Sequence, residues 1–290
     1  MTTGRYSITT VMLLLLLFVA LPGSSAQVFS NYSPNDASFH YEVKVIDEFI
    51  ERFNDDHSSY LRKAYAKEKK PYNITRTKLL VSLFNLENTS FTDKDTTLMG
   101  FFRQVVDPKH PVYIAFTDSD WYAEAKSVFL YNGKLVEMPL ALHVKSNGDE
   151  WSKWMITGIG NRAPSKEPMP SVSVNKINAK AAEYISTSAY ATNFVELHYI
   201  FSGSMTPEYY FEPQLLATEK GKQFVEMIKK GQLKFQYVKS ITFHFYQVSG
   251  WIFTVDQFNR KTLNNGWLIN SMQKTTKAEK EAARKKLLNR

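Results

Sequence analysis

From residue 39 onward the apolar positions of the chain follow two periods, and a helical period gives way to a strand period twice. In "FHYEVKVIDEFIERFNDD" (39–56), Val45, Phe49 and Phe53 fall on one helical stripe with Ile46 and Ile50 beside it, and charges take the other face. "ITRTKLLVSLFNLE" (74–87) repeats that spacing through Leu79, Leu80, Leu83 and Phe84. "TDKDTTLMGFFRQVVD" (92–107) opens on acidic residues, which suit a helix N-terminus, and stops before Pro108. The period then becomes two. "PVYIAF", "WYAEAKSVFLY" and "KLVEMPLALHVK" read as strands, with Asn132-Gly133 as a two-residue hairpin turn and Pro139 marking a bulge or an edge. After the turn "SNGDE", "WSKWMITGI" closes an antiparallel meander.

The order then repeats. "APSKEPMPSVSV" (163–174) holds three prolines in seven positions and reads as an extended linker. "NKINAKAAEYISTSAYATNFVELHYIFS" is helical in character, and "LLATEKGKQFVEMIKKGQ" reads as a helix that stops at Gly231. Strands follow in "LKFQYVKSITFHFYQV", "WIFTVDQF" and "WLINSM", with turns at Ser249-Gly250 and in "NRKTLNNG". The closing strands align as "WMITGI" on "WLINSM", which matches Trp154 and Ile156 with Trp267 and Ile269. Helices, hairpin, turn and a Trp-x-Ile strand, twice in that order, point to internal duplication. The alternative is the general likeness of antiparallel sheets. Trp151 and Trp154 fall on opposite faces of their strand, so Trp154 and Ile156 are expected on its core face.

This pattern predicts an α+β protein of two cone-like domains, each with helices packed in a curved antiparallel sheet. The predicted boundaries are a signal peptide at 1–26, a polar lead-in at 27–38, a first domain at 39–162, the linker at 163–174, a second domain at 175–273 and a basic tail at 274–290. Helices followed by a bent antiparallel sheet ending in a Trp-x-Ile strand resemble the nuclear-transport-factor-two-like superfamily, which includes ketosteroid isomerases and polyketide-cyclase-like proteins. The likeness rests on element order over 39–160 and, less completely, 188–273, and on no catalytic motif. It implies a cavity at the open end of each cone, serving as a ligand site, an enzyme site or a volume filled by side chains.

The N-terminal stretch changes the compartment. Arg5, an apolar run over residues 8–21, the breakers Pro22 and Gly23, and the small residues Ser24 and Ala26 read as a signal peptide cleaved after Ala26. An uncleaved anchor is the alternative, and the run is short for a full span. The chain contains no cysteine, which removes disulfides, thiolate metal sites and cysteine nucleophiles. An exported protein without disulfides fits the bacterial periplasm or envelope. Asn31, Asn73 and Asn88 then read as chance glycosylation matches. Of the net +8, one charge is Arg5, and residues 274–290 hold seven basic against two acidic residues. The body is nearly balanced, which argues against nucleic-acid binding.

Candidate chemistry is sparse. The resemblance implies an Asp or His base with a Tyr or Asp hydrogen-bond donor in a cavity. His244, Tyr246, Asp256, Tyr113, Tyr122 and Glu124 are the candidates for a cavity lining. His143 shares a strand face with Ala141 and Lys145, opposite Leu140, Leu142 and Val144, and is expected to face outward. Asp93 with Asp95 and Asp118 with Asp120 read as a helix start and a turn, without the further oxygen ligands of a cation loop. Ser173 and Lys176 match S-x-x-K in the linker without its partner motifs. No metal-binding or phosphate-binding signature is present, so no cofactor and no metal is expected. The tail is helix-prone and offers Lys277, Lys280, Arg284, Lys285 and Lys286 to an anionic surface or an acidic partner; a solvated terminus is the alternative. The expected function is that of an exported, non-enzymatic binding or assembly protein of the bacterial envelope. Its partner would be an envelope protein or a small apolar ligand, and membrane contact would come only through the signal or the tail. The rival expectation is a small-molecule isomerase, dehydratase or hydrolase working in one cavity.

Overall fold

The computed structural model describes residues 42–88, 91, 96–147, 152–164, 184–202, 206–261 and 264–288. The signal peptide, the lead-in, Asn31, Asp93, Asp95, Trp151, Ser173, Lys176 and most of the Pro-rich linker lie outside the described residues.

Four helices open the described chain: α1 (Ile46–Asn54), α2 (Tyr60–Lys67), α3 (Arg76–Ser82) and α4 (Thr96–Val105). In α1 the predicted stripe is buried: Ile46, Phe49 and Phe53 are fully covered. The amphipathic period has this effect because one helix face loses water while the charged face keeps it. The expected strand "PVYIAF" does not form. At Ile114 and Ala115 its backbone is satisfied by side-chain amides in place of a neighbouring strand. Asn54 accepts from the Ile114 N–H (3.0 Å) and donates to its carbonyl (2.7 Å), and Gln247 does the same for Ala115 (2.7 and 2.8 Å).

Strands β1 (Trp121–Tyr131) and β2 (Lys134–Ser146) turn on Asn132 and Gly133, both at positive φ as the tightest hairpin turn demands. β3 (Ser152–Ile159) completes the meander, and the short β4 (Ala163–Pro164) and β5 (Ile185–Ser186) pair with β2 and β3. Pro139 lies within β2 where β3 leaves the ladder: its carbonyl accepts from Gly160 N–H, and its missing N–H points to that same side. Then come α5 (Glu196–Phe201), α6 (Pro213–Ala217) and α7 (Glu219–Lys229), with Gly231 at positive φ just past the end. The predicted single helix over 215–232 is thus divided at Thr218, whose hydroxyl caps α7 by accepting from Gly221 N–H. β6 (Leu233–Phe245), β7 (Trp251–Phe258) and β8 (Gly266–Lys274) form the second meander, and α8 (Lys277–Leu288) ends the described chain.

The two meanders are one sheet. Its order is β5-β3-β2-β1-β6-β7-β8, antiparallel throughout, and β1 pairs with β6 along its whole length. In that central ladder Ala123 faces Phe243, and the registers on either side are counterparts. Ala123 faces Leu142, which faces Ile156; Phe243 faces Val255, which faces Ile269. Each third strand bulges at the same place, Thr157 after Ile156 and Asn270 after Ile269. Trp154 and Trp267 therefore stand at equivalent positions, each two residues before its Ile.

The first-half helices pack on strands of the second half, and the second-half helices straddle the seam, packing on Phe235 of β6 as well as on β1. Phe49 and Phe53 of α1 pack on Phe245 and Phe253, and Phe101 of α4 packs on Trp251. From the second half, Phe194 packs on Trp154, and Phe201 and Phe224 pack on Phe129 of β1. One continuous apolar cluster results, spanning both segments that were expected to hold separate cores. A fragment ending at residue 164 leaves the apolar faces of α1, α3 and α4 without β7 and β8. We expect it to show no cooperative near-ultraviolet CD transition alone and to regain one on mixing with residues 165–290. Cooperative unfolding of the isolated fragment would show that the first meander has a core of its own.

Candidate functional site on the polar face of the sheet

The sheet has an apolar face and a polar face. On the apolar face Trp121, Trp154, Phe243, Phe245 and Phe253 are at most 0% exposed each and meet at ring distances of 4.9–6.5 Å. The space where a cone cavity was expected is occupied there by aromatic side chains at core density. The residues of alternate parity point the other way, and five of the six cavity candidates are among them. Tyr122, Glu124, His244 and Asp256 sit on the polar strand positions, and Tyr246 packs beside Tyr122 on the same face. Tyr113 is elsewhere, 58% exposed in the loop before β1 under the guanidinium of Arg76.

Two clusters on this face occupy counterpart positions. In the second half Asp256 accepts from the Thr242 hydroxyl and from Asn270 Nδ2 (2.8 Å). Asn270 Oδ1 accepts from Asn85 (2.9 Å), and Asn85 Oδ1 accepts from Arg260 (2.6 Å). That cluster is closed by its own hydrogen bonds. In the first half the counterparts of Thr242, Asp256 and Asn270 are Tyr122, His143 and Thr157, and these line an open cleft of about 360 Å³ with Glu212, Gln214, Leu215, Thr218 and Leu288. His143 Nε2 lies 3.3 Å from Glu212, whose other oxygen is 3.8 Å from Lys145 Nζ. The Tyr122 ring meets the His143 ring edge-on at 6.0 Å. Between the clusters, at the pseudo-twofold centre, His244 Nε2 lies 3.3 Å from Glu124.

Burial lowers the His143 pKa; Glu212 opposes that shift and Lys145 adds to it, so the imidazole is held neutral at pH 7. Burial raises the phenol pKa of Tyr122 against the pull of Arg284, which keeps it a hydrogen-bond donor. The cleft thus combines a neutral imidazole, a carboxylate, two hydroxyl-bearing side chains from the sheet and an exposed amide, between walls formed by Leu215 and Leu288.

The tail builds one of those walls. α8 runs back across the polar face from the end of β8. Lys280 Nζ donates to the carbonyls of Tyr246 (2.6 Å) and Val248 (2.8 Å), and Arg284 pairs with Asp120 and Glu281. Leu287 is buried against Tyr122, Ala141 and Tyr246. Of the five basic residues expected to meet an anionic surface, Lys280 and Arg284 are therefore engaged within the molecule, while Lys277, Lys285 and Lys286 are exposed. The helix end sits directly over Gly158, where a Cβ would lie 2.7 Å from the Leu288 carbonyl oxygen.

Sequence reasoning placed His143 on the outward face and missed Thr157, Glu212 and Gln214. A short echo carries the signal for the last two: Phe84-Asn85-Leu86-Glu87 and Phe211-Glu212-Pro213-Gln214 each follow a phenylalanine with two oxygen-bearing side chains. Among the described residues no group of three or more His, Cys, Asp or Glu could hold a metal ion, and no helix is long and apolar enough to cross a membrane. Compared with family models, curated proteins and solved structures, the chain matches none.

Gly158→Val is expected to lift the last turn of α8 without unfolding the sheet. Hydrogen exchange over residues 284–288 should then report a local loss of about 1.5–3 kcal/mol, the worth of one buried leucine. Unchanged protection there would mean that the helix end is not held by this contact. His143 should titrate below 6.5 by NMR. Because the folded state disfavours the imidazolium, its contribution to stability is full above 6.5 and is lost as pH falls through that value towards the lowered folded one. His143→Gln should remove that part of the pH dependence; an identical profile in the variant would refute the assignment.

Proposed function

We propose that the chain is an exported, non-enzymatic binding or assembly protein of the bacterial cell envelope, and that a partner engages the polar-face cleft. The observation that carries this reading is the filled interior. A catalytic member of the resembled superfamily would work in a cavity between helices and sheet, and here aromatic rings occupy that volume. The signal-like N-terminus and the lack of cysteine support export and the envelope. The counterpart registers, bulges and tryptophans support a fused duplication, in which two cone-like units share one sheet and the helices of the first pack on the strands of the second. A cleft that is open, polar on its floor and apolar on two walls suits a protruding side chain of a partner better than a substrate needing enclosure.

One observation favours a second reading, an acid–base enzyme. A neutral His143 beside Glu212, with the Tyr122 phenol at its edge, has the parts of a base and a hydrogen-bond donor. It lacks an enclosed site to exclude water.

Thr157→Phe separates these readings from a third, in which the cleft does nothing. Thr157 is the bulged residue that lines the cleft, so a ring there should fill it and leave the core intact. With full-length tagged protein and a native envelope fraction, we expect a discrete partner captured by the wild type and lost in the variant. Equal capture by both would refute the role of the cleft. Turnover of a small molecule abolished by His143→Gln would favour the enzyme.

A further inference from the structure

The two turns that overhang the polar face are one turn made twice. Asn85 N–H donates to the Ile269 carbonyl and Glu212 N–H to the Ile156 carbonyl, each at 2.9 Å, and those isoleucines are counterparts in the sheet. Asn88 N–H closes back onto Asn85 O, and Leu215 N–H onto Glu212 O, each at 3.0 Å. Asn85 thereby corresponds to Glu212, and Glu87 to Gln214.

One of the turns holds a cation from its own chain. Arg260 donates through Nη2 to Asn85 Oδ1 (2.6 Å), places Nη1 3.3 Å from the Glu87 carboxylate, and sets its guanidinium carbon 4.2 Å above the Phe258 ring. The acceptors are an amide oxygen and a carboxylate, two residues apart. The other turn carries the same pair in reverse order, the Glu212 carboxylate and the Gln214 amide, and both line the open cleft. The strand counterpart of Phe258 is Lys145, and two residues further on, where the second half has Arg260, the first half has Asn147.

We propose that the cleft receives a guanidinium, the side chain of an arginine on a protein partner, seated between Glu212 and Gln214 as Arg260 is seated between Asn85 and Glu87. The inference rests on the binding reading above and names the chemistry of the partner. Glu212 supplies the charge and is nearly buried, its side chain 11% exposed, so its pairing with a cation is little screened by water. Leu215 and Leu288 flank the path that an arginine stem would take. The competing cation is Lys145, 46% exposed and at 3.8 Å the looser partner of Glu212, with Lys153 opposite it on β3. A compact ammonium at that distance makes no fork with a carboxylate, whereas a guanidinium donates along two edges.

The test is an NMR titration of the full chain with three probes: acetyl-argininamide, acetyl-lysinamide and acetyl-glutamate. We expect the arginine probe to shift resonances of His143, Thr157 and Glu212 and to bind about tenfold tighter than the lysine probe. Glu212→Gln should abolish the shifts. Gln214→Lys, at an exposed position that leaves the core untouched, should block the seat as well. Lys145→Ala should tighten arginine binding severalfold by removing the competitor. Weaker arginine binding in Lys145→Ala, tighter binding of the glutamate probe, or no shift with any probe would each overturn the proposal. Glyoxal modification of arginines in the envelope fraction should abolish partner capture, which separates a protein arginine from a free guanidinium compound. Capture that survives glyoxal but is lost in Thr157→Phe would leave the binding reading standing and remove the guanidinium.

Discussion

The ladder between β1 and β6 is the contact on which the rest of this molecule depends. Each meander alone would end in a long, unpaired edge strand with apolar residues on one side, a surface that pairs readily with other chains. Joining the two edges satisfies both rows of backbone groups and extends the apolar face into one surface broad enough for the helices of both halves. The pairing also fixes volumes at its centre. Ala123 and Phe243 are counterparts and direct neighbours, so the large ring of one lies over the space left by the small side chain of the other. Both Trp154 and Trp267 close on that single ring, at 6.5 and 4.9 Å. The crossing of the first-half helices follows from the same constraint, since α1 and α4 find their apolar partners on β6 and β7, while the second-half helices straddle the seam and pack on β6 as well as on β1 and β3.

The candidate site lies at one of two counterpart positions on the sheet, where one half holds a closed polar cluster and the other an open cleft. In both halves a bulge turns an extra side chain, Thr157 or Asn270, onto the polar face, and a turn from the opposite half lays a polar side chain over it. What differs is the filling. Asp256, Asn270, Asn85 and Arg260 satisfy one another, which is what buried polar groups require. Around the cleft, a histidine replaces the aspartate, a threonine replaces the asparagine, and among the described residues the cation paired with Glu212 is the loosely placed Lys145. The tail accentuates the asymmetry, because α8, anchored by Lys280 to the Tyr246 and Val248 carbonyls, ends over the first half and adds Leu288 to the wall of the cleft.

Much of this architecture is legible in the sequence. The helical stripe of α1, the Asn132-Gly133 hairpin, the stop at Gly231 and the two Trp-x-Ile strands follow from local rules of period and φ, and each of these residues needs only its near neighbours to act. The run 111–116 misled because alternation describes extended backbone without saying what bonds to it; here Asn54 and Gln247 do, from 60 and 132 residues away. The outward face of His143 was legible from parity, and its partner Glu212 was not, since nothing local connects a strand residue with a turn preceding α6.

The sequence by itself determined the α+β class, the two meanders and which face of each closing strand is apolar, because periodicity, turn chemistry and the absence of cysteine are local or compositional properties. Only the tertiary structure decided that the meanders join edge to edge, that the first-half helices cross to the strands of the second half, and that the tail folds back over Gly158. Those outcomes depend on which surfaces of equal hydrophobicity find each other across more than a hundred residues, and apolar burial is non-directional: it favours covering a face without specifying the cover. The register of the β1–β6 ladder supplies that specification, and it brings Tyr122, His143, Thr157 and Glu212 to one cleft.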